Sequence, residues 1–164
     1  MNNELQFDFD VNKENNTIHV RREFNAAPQK VWAAWTKSEL LDQWWAPKPW
    51  RAETKSMDFA VGGYWLYAMV GPNGEKQFCK VSYQTIEQQK SFSATDAFCD
   101  ENGVDQHTFP SALWTNTFSG KGNGALVDIL IRYNSAEDME NILKMGFKEG
   151  FTMGLGNLDE LLAL

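Results

Sequence analysis

Over residues 5–11 apolar and polar side chains alternate, with Leu5, Phe7, Phe9 and Val11 separated by Gln6, Asp8 and Asp10. A period of two is the signature of a strand with one covered face. Asn12-Lys13-Glu14-Asn15-Asn16 reads as a turn, and the alternation resumes over residues 17–24, with Ile18, Val20 and Phe24 on one face. His19 falls on the opposite face and is expected in solvent. Arg22 shares the parity of Val20 and Phe24, so it points inward unless a bulge turns it out. The period then changes. Pro28 suits a first helical turn, and Val31, Trp32 and Trp35 fit one face of the helix that follows. Ser38 is placed to cap a second short helix over Glu39–Trp45, which Pro47 and Pro49 close.

From Trp50 onward strand and turn signals dominate, over 50–59, 64–70, 76–87, 91–98, 112–119 and 125–133. Gly62-Gly63 and Gly71-Pro72-Asn73-Gly74 break the run, and Gly120, Gly122 and Gly124 mark a tight hairpin. Residues 100–111 form a loop of more than average length. The last segment changes character again: Met139, Ile142, Leu143, Phe147, Phe151, Leu155, Leu158, Leu161 and Leu162 recur at spacings of three and four. With Asn134-Ser135 as cap and Glu137 and Asp138 in the first turn, this predicts one helix over 135–163, about 40 Å long at 1.5 Å per residue. Two strands, two short helices, five or six sequential strands and a long helix make an α+β domain, an antiparallel sheet with helices on one face. Its 164 residues are expected to form one domain, 1–164.

Composition sharpens this in two places. Lys plus Arg number 15 against 22 Asp plus Glu, a net charge of −7. Phosphate backbones and anionic lipid surfaces repel such a balance, so neither nucleic acid nor membrane is an expected partner. No apolar run approaches the roughly 20 residues of a membrane span. The opening Met1-Asn2-Asn3-Glu4 does not look like a secretion leader, and two cysteines outside any Cys-x-x-Cys pair are expected to stay reduced, so the expected location is cytoplasmic. The second departure is aromatic: seven Trp, eleven Phe and four Tyr. Each ring can bury on the order of 150–250 Å², more than a small core readily absorbs.

Familiar catalytic signatures are missing. Two His and two Cys supply no zinc set at a known spacing, and Gly62-Gly63 opens a strand rather than a nucleotide-binding helix. No metal or cofactor is expected. His107 lies in the polar loop, where solvent exposure is the simpler expectation and a catalytic role the alternative. Gly146, Gly150 and Gly154 recur every four residues in the last helix, with Gly156 beside them. Each costs about 0.8–1 kcal/mol relative to alanine. Either the helix backbone packs closely on bulky rings, or the missing side chains leave room for a ligand. Trp65, Tyr67 and Met69 share one strand face, Phe92, Ala94, Asp96 and Phe98 another, and Trp114, Asn116 and Phe118 a third. If these faces look inward, Asp96 and Asn116 are polar groups among rings and must find partners. If they look outward, neither needs one.

Val31-Trp32-Ala33-Ala34-Trp35-Thr36, Glu39-Leu40-Leu41-x-x-Trp44-Trp45-Ala46-Pro47 and Asp58-Phe59-x-x-Gly62-Gly63-x-Trp65 closely resemble the AHSA1-like group of the START/SRPBCC superfamily, named for the activator of the Hsp90 ATPase. Gly146-Phe147-x-x-Gly150-Phe151 leading to Leu158-x-x-Leu161-Leu162 is similar to that family's closing helix. The resemblance covers residues 17–163, leaving residues 1–16 as an added strand and turn. It implies a helix-grip fold, a curved antiparallel sheet wrapped around a long C-terminal helix with a cavity between them. It raises the ligand reading of the glycines. The expected wall is Trp65, Tyr67, Met69, Phe92, Phe98, Trp114, Phe118, Phe147, Gly150, Phe151 and Gly154, with Trp32, Trp35, Trp44, Trp45 and Trp50 as a structural wedge at one end. The expected partner is a small hydrophobic or aromatic molecule, with a homodimer left open. A cyclase or hydratase using Asp96, His107 or Asn116 is the enzymatic alternative. Superfamily co-chaperones suggest an Hsp90-type partner, but a chain this short has no room for the activator's extra N-terminal domain, so Hsp90 stimulation is not expected.

Overall fold

The computed structural model describes residues 5–107 and 110–164. Met1–Glu4, read above for a leader, and residues 108 and 109 of the long loop lie outside the described residues. Eight strands form one sheet: β1 (Phe7–Asn12), β2 (Thr17–Phe24), β3 (Arg51–Met57), β4 (Tyr64–Val70), β5 (Lys76–Glu87), β6 (Ser91–Cys99), β7 (Ala112–Lys121) and β8 (Gly124–Tyr133). Their spatial order is β1-β2-β8-β7-β6-β5-β4-β3, antiparallel at every junction. Register shifts at Thr54/Ser56 and Tyr83/Thr85 add the local twist that bends such a sheet. Helices α1 (Pro28–Thr36), α2 (Ser38–Trp44), α3 (Ala136–Lys144) and α4 (Phe147–Leu162) complete the α+β helix-grip architecture.

The three ring-bearing strand faces look inward, because α4 must bury its apolar stripe somewhere and only the concave face of the sheet is large enough. Ile18, Val20, Phe24, Val127, Ile129 and Ile131 of the sheet and Leu155 and Leu158 of α4 are wholly buried together. The Arg22 side chain also points inward. It donates to the Glu23 carbonyl at 2.7 Å and pairs with Asp159 on α4, its guanidinium lying 4.9 Å from the Phe24 ring centroid. His19 is not simply solvated, since its Nε2 lies 2.8 Å from the Asp128 carboxylate across the β2–β8 pair.

Three local expectations fail for identifiable reasons. Residues 135–163 do not form a single helix. Met145 and Gly146 separate α3 from α4, and Gly146 adopts φ +92°, a left-handed geometry that ends a helix at little cost only in glycine. Ser135 does cap α3, accepting the Asp138 N–H at 3.1 Å. Ser38 does not cap α2: it is the first helical residue, and its hydroxyl reaches the Glu39 carboxylate instead. Finally, β1 is less covered than its alternation predicts. It is an edge strand, and only Phe9 reaches a helix, at 6.2 Å from the Phe147 ring, so Phe7 and Val11 remain exposed.

The wedge of tryptophans is largely as its sequence suggests. Trp32 meets Phe59, Phe92 and Phe118 edge-on at 5.1–6.0 Å, and Trp35 meets Phe24, Trp44 and Phe118. Asp42 of α2 accepts from both the backbone and the hydroxyl of Thr54, whose hydroxyl in turn accepts the Trp65 indole N–H at 2.9 Å. The first helices are thereby tied to β3 and β4.

Candidate functional site

The two halves of α4 meet different surroundings. Its C-terminal half fills the core; its N-terminal half stands over open space. That space is a cavity of about 290 Å³, bounded by α3 and α4 above and the concave sheet below. It is about twice the roughly 150 Å³ of an apolar cavity that takes benzene. Of the residues expected to line it, Tyr67, Met69, Phe98, Trp114, Phe147, Gly150 and Phe151 do so. Phe147 and Phe151 stack one helical turn apart at 5.3 Å and meet Trp114 edge-on at 5.8 and 5.7 Å, forming one continuous ring wall.

A second, inner cavity of about 60 Å³ lies deeper in the sheet. Trp65, Phe92 and Asn116 border this inner space and not the larger one, while Trp45, Tyr67, Asp96 and Trp114 border both. Trp45 donates its indole N–H to the Tyr67 hydroxyl at 2.8 Å, so this pair stands as a partition between the two spaces.

Phe118 and Gly154 line neither cavity. Phe118 is core, held edge-on by Trp32 and Trp35. Gly154 answers the question its spacing raised. A Cβ there would sit 3.3 and 3.4 Å from the backbone oxygens of Trp45 and Trp44, so the glycine permits close approach rather than leaving a void. The Asn157 amide uses that approach, donating to the Ala46 carbonyl at 3.1 Å at the open end of α2. Gly150 is the contrasting case: its Cβ would make an ordinary 3.6 Å contact with Pro47, beside the cavity. At Gly156 a Cβ would meet nothing. Gly156→Ala is therefore expected to stabilise the fold by about 0.8–1 kcal/mol. Gly154→Ala is expected to gain nothing, because the backbone oxygens it meets cannot swing aside. Paired denaturant midpoints measure this, and equal gains at both positions would contradict the close-packing account.

Both the sheet and the helices also contribute lining residues beyond those expected from the sequence. Trp45, assigned above to the wedge, turns its ring into the cavity wall; Cys79 and Tyr133 add a thiol and a hydroxyl; Pro47, Ile142 and Met145 form part of the rim. Parity carried a signal for two of them. Cys79 pairs with Tyr67 across β4–β5, and Tyr133 continues the inward face of Ile129 and Ile131. Burial pushes the Cys79 thiol up to about 12 and raises the hydroxyls of Tyr67 and Tyr133 above their ordinary range, so all three are neutral at physiological pH.

Asp96 is the site's one formal charge among its described lining residues. Its Oδ1 accepts the Ala112 backbone N–H at 2.7 Å and its Oδ2 the Trp114 indole N–H at 3.1 Å, both from β7. Burial raises its pKa above the ordinary carboxylate value, and these two donors oppose the rise. Asn116 is 3% exposed and its Oδ1 has no hydrogen-bond partner. His107 is exposed, with φ +55°, and borders neither cavity. Of the three polar residues singled out for chemistry, Asp96 and Asn116 both border the inner cavity, Asp96 also facing the larger one, while His107 lies outside both. Among the described residues no group of three or more His, Cys, Asp or Glu is placed to hold a metal ion, and no helix is long and apolar enough to cross a membrane.

Comparison with known proteins agrees with the geometry. The profile of the Activator of Hsp90 ATPase homolog 1-like protein family matches residues 25–163. A crystal structure of a Mycobacterium smegmatis protein superposes with a TM-score of 0.88 at 26% identity, covering 98% of each chain. A solution structure of an Arthrobacter aurescens protein superposes with a TM-score of 0.89 at 29% identity, covering 95% of this chain and 91% of the other. A Silicibacter pomeroyi AHSA1 protein, at 19% identity and a TM-score of 0.70, shares the fold over 90% of this chain and 97% of its own. No curated protein matches the chain.

Proposed function

Because the chain belongs to the Activator of Hsp90 ATPase homolog 1-like family and carries a ring-walled space beneath its C-terminal helices, we propose that it is a binding protein for one small, apolar, ring-bearing molecule. The observation that carries this reading is the half of α4 left without core beneath it. A helix that spends glycine at Gly150, and rings at Phe147 and Phe151, on the border of 290 Å³ of open space is arranged to cover something other than protein. The volume lies at the lower end of ligand pockets, which suits a one- or two-ring molecule. We assign no reaction, since His107 lies away from both cavities and the space that Asp96 and Asn116 share is only about 60 Å³. A cytoplasmic location fits the two free, buried thiols of Cys79 and Cys99.

Indole, a neutral two-ring compound, is the simplest probe. Calorimetric titration is expected to show saturable one-to-one binding with a negative heat-capacity change, the mark of buried apolar surface. Heats that do not saturate across the accessible concentration range would remove the reading.

A further inference from the structure

We propose that the molecule held in this cavity is an organic cation, an apolar ring body ending in a protonated amine that the Asp96 carboxylate accepts. The inference rests on the binding reading above and names the class of ligand it implies.

The site's one carboxylate and its buried orphan atom are acceptors, beside the hydroxyls of Tyr133 and Tyr83, which can donate or accept. Asp96 accepts the Ala112 N–H on Oδ1 and the Trp114 indole N–H on Oδ2, and its own backbone N–H also acts on the carboxylate, so its plane is fixed. An ionised carboxylate offers about four acceptor directions and no donor, so about one direction remains beyond these three. Deeper in, the Oδ1 of Asn116 is buried without a partner at 3% exposure. An orphaned acceptor at that depth has a desolvation cost that a ligand donor, directly or through one water, would remove. The hydroxyl of Tyr67 already accepts the Trp45 N–H, and Cys79 lies against it. No Lys, Arg or His is among the described residues that line either cavity.

A ligand anion would therefore meet a carboxyl group and no compensating cation, whereas a ligand cation would favour the ionised form of Asp96 and meet the faces of several rings. Rings attract cations through their quadrupoles, most strongly where water is excluded. The chain's net charge of −7 acts in the same direction during encounter. Burial already raises the Asp96 pKa, the condition of a carboxylate lacking a cation beside it.

The alternative is that Asp96 only fastens β6 to β7 and is indifferent to what enters the cavity. A matched series separates the two: 3-phenylpropylamine, 3-phenylpropanol and 3-phenylpropanoate share one ring and differ at the polar end. By calorimetry at neutral pH, the amine is expected to bind at least about tenfold more tightly than the alcohol, the range of a charge-assisted hydrogen bond, and the carboxylate most weakly. In Asp96→Asn the ratio of amine to alcohol affinity is expected to shrink to about twofold, with an unchanged circular-dichroism spectrum reporting that the variant is folded. An amine no tighter than the alcohol, or a carboxylate equal to the amine, overturns the inference whatever the variant does. If indole binds but the series shows no ranking, only the cation assignment falls. If neither indole nor any member of the series binds, the cavity reading falls with it.

Discussion

Replacing Trp44 with alanine is expected to destabilise the protein by about 3–5 kcal/mol, measured as the shift in the free energy of denaturant unfolding. Trp44 is 1% exposed, and its indole donates to the Ala34 carbonyl at 2.9 Å, joining the end of α2 to α1. Its ring meets Trp35 at 4.7 Å and Trp45 at 5.2 Å, both edge-on. Truncation removes the buried area, both ring contacts and the partner of a buried carbonyl. The gap cannot close easily, because α2 is held on its other side by Asp42 on Thr54 and by Asn157 on the Ala46 carbonyl. A domain of this size has about 5–15 kcal/mol in all, so the variant should be near the limit of folding. A loss below about 1 kcal/mol would show that the wedge is not the keystone of this end of the fold.

Gly150→Leu is expected to leave the fold intact and weaken indole binding by more than about tenfold. The position faces the cavity with only Pro47 nearby, so a leucine side chain has open space to enter. Exchange of a helix-interior glycine for leucine also favours the helix by several tenths of a kcal/mol, so the thermal midpoint should rise or stay unchanged. Buried apolar atoms that occupy the ligand's volume must be displaced before it binds, and a gain in stability accompanied by a loss of binding is the signature of a filled pocket. Unchanged indole affinity in this variant would place the binding surface elsewhere.

Most of the fold was legible because its period changes are abrupt. Strand alternation ends at Pro28, returns after Trp50 and gives way to helical spacing after Asn134, and those transitions are element boundaries in the structure to within a few residues. What was not legible depends on the third dimension. Gly146 looked like one of four helical glycines, and only the direction change needed to lay α3 across the cavity sets it at positive φ. Gly150 and Gly154 share a spacing, yet one faces a void and the other the end of α2, a distinction set by which neighbouring backbone arrives there. Trp44 and Trp45 are adjacent in sequence, so helix geometry points them about 100° apart, one into the wedge and the other into the cavity wall. Asp96 and Asn116 were recognisable as polar groups among rings, but their different depths follow from how the sheet curves. Pairing parity would have added Cys79 and Tyr133 without any structure.

Whether a ring-bearing molecule occupies the space between the sheet and the C-terminal helices is decided by locating bound indole. In nitrogen-resolved NMR spectra of the intact chain, titration is expected to move the indole N–H signals of Trp45 and Trp114 and the amides of Phe147–Phe151 together, with one saturating curve, while the indole N–H of Trp44 stays in place. Saturable shifts confined to other surfaces, or none at these positions, would contradict that occupancy.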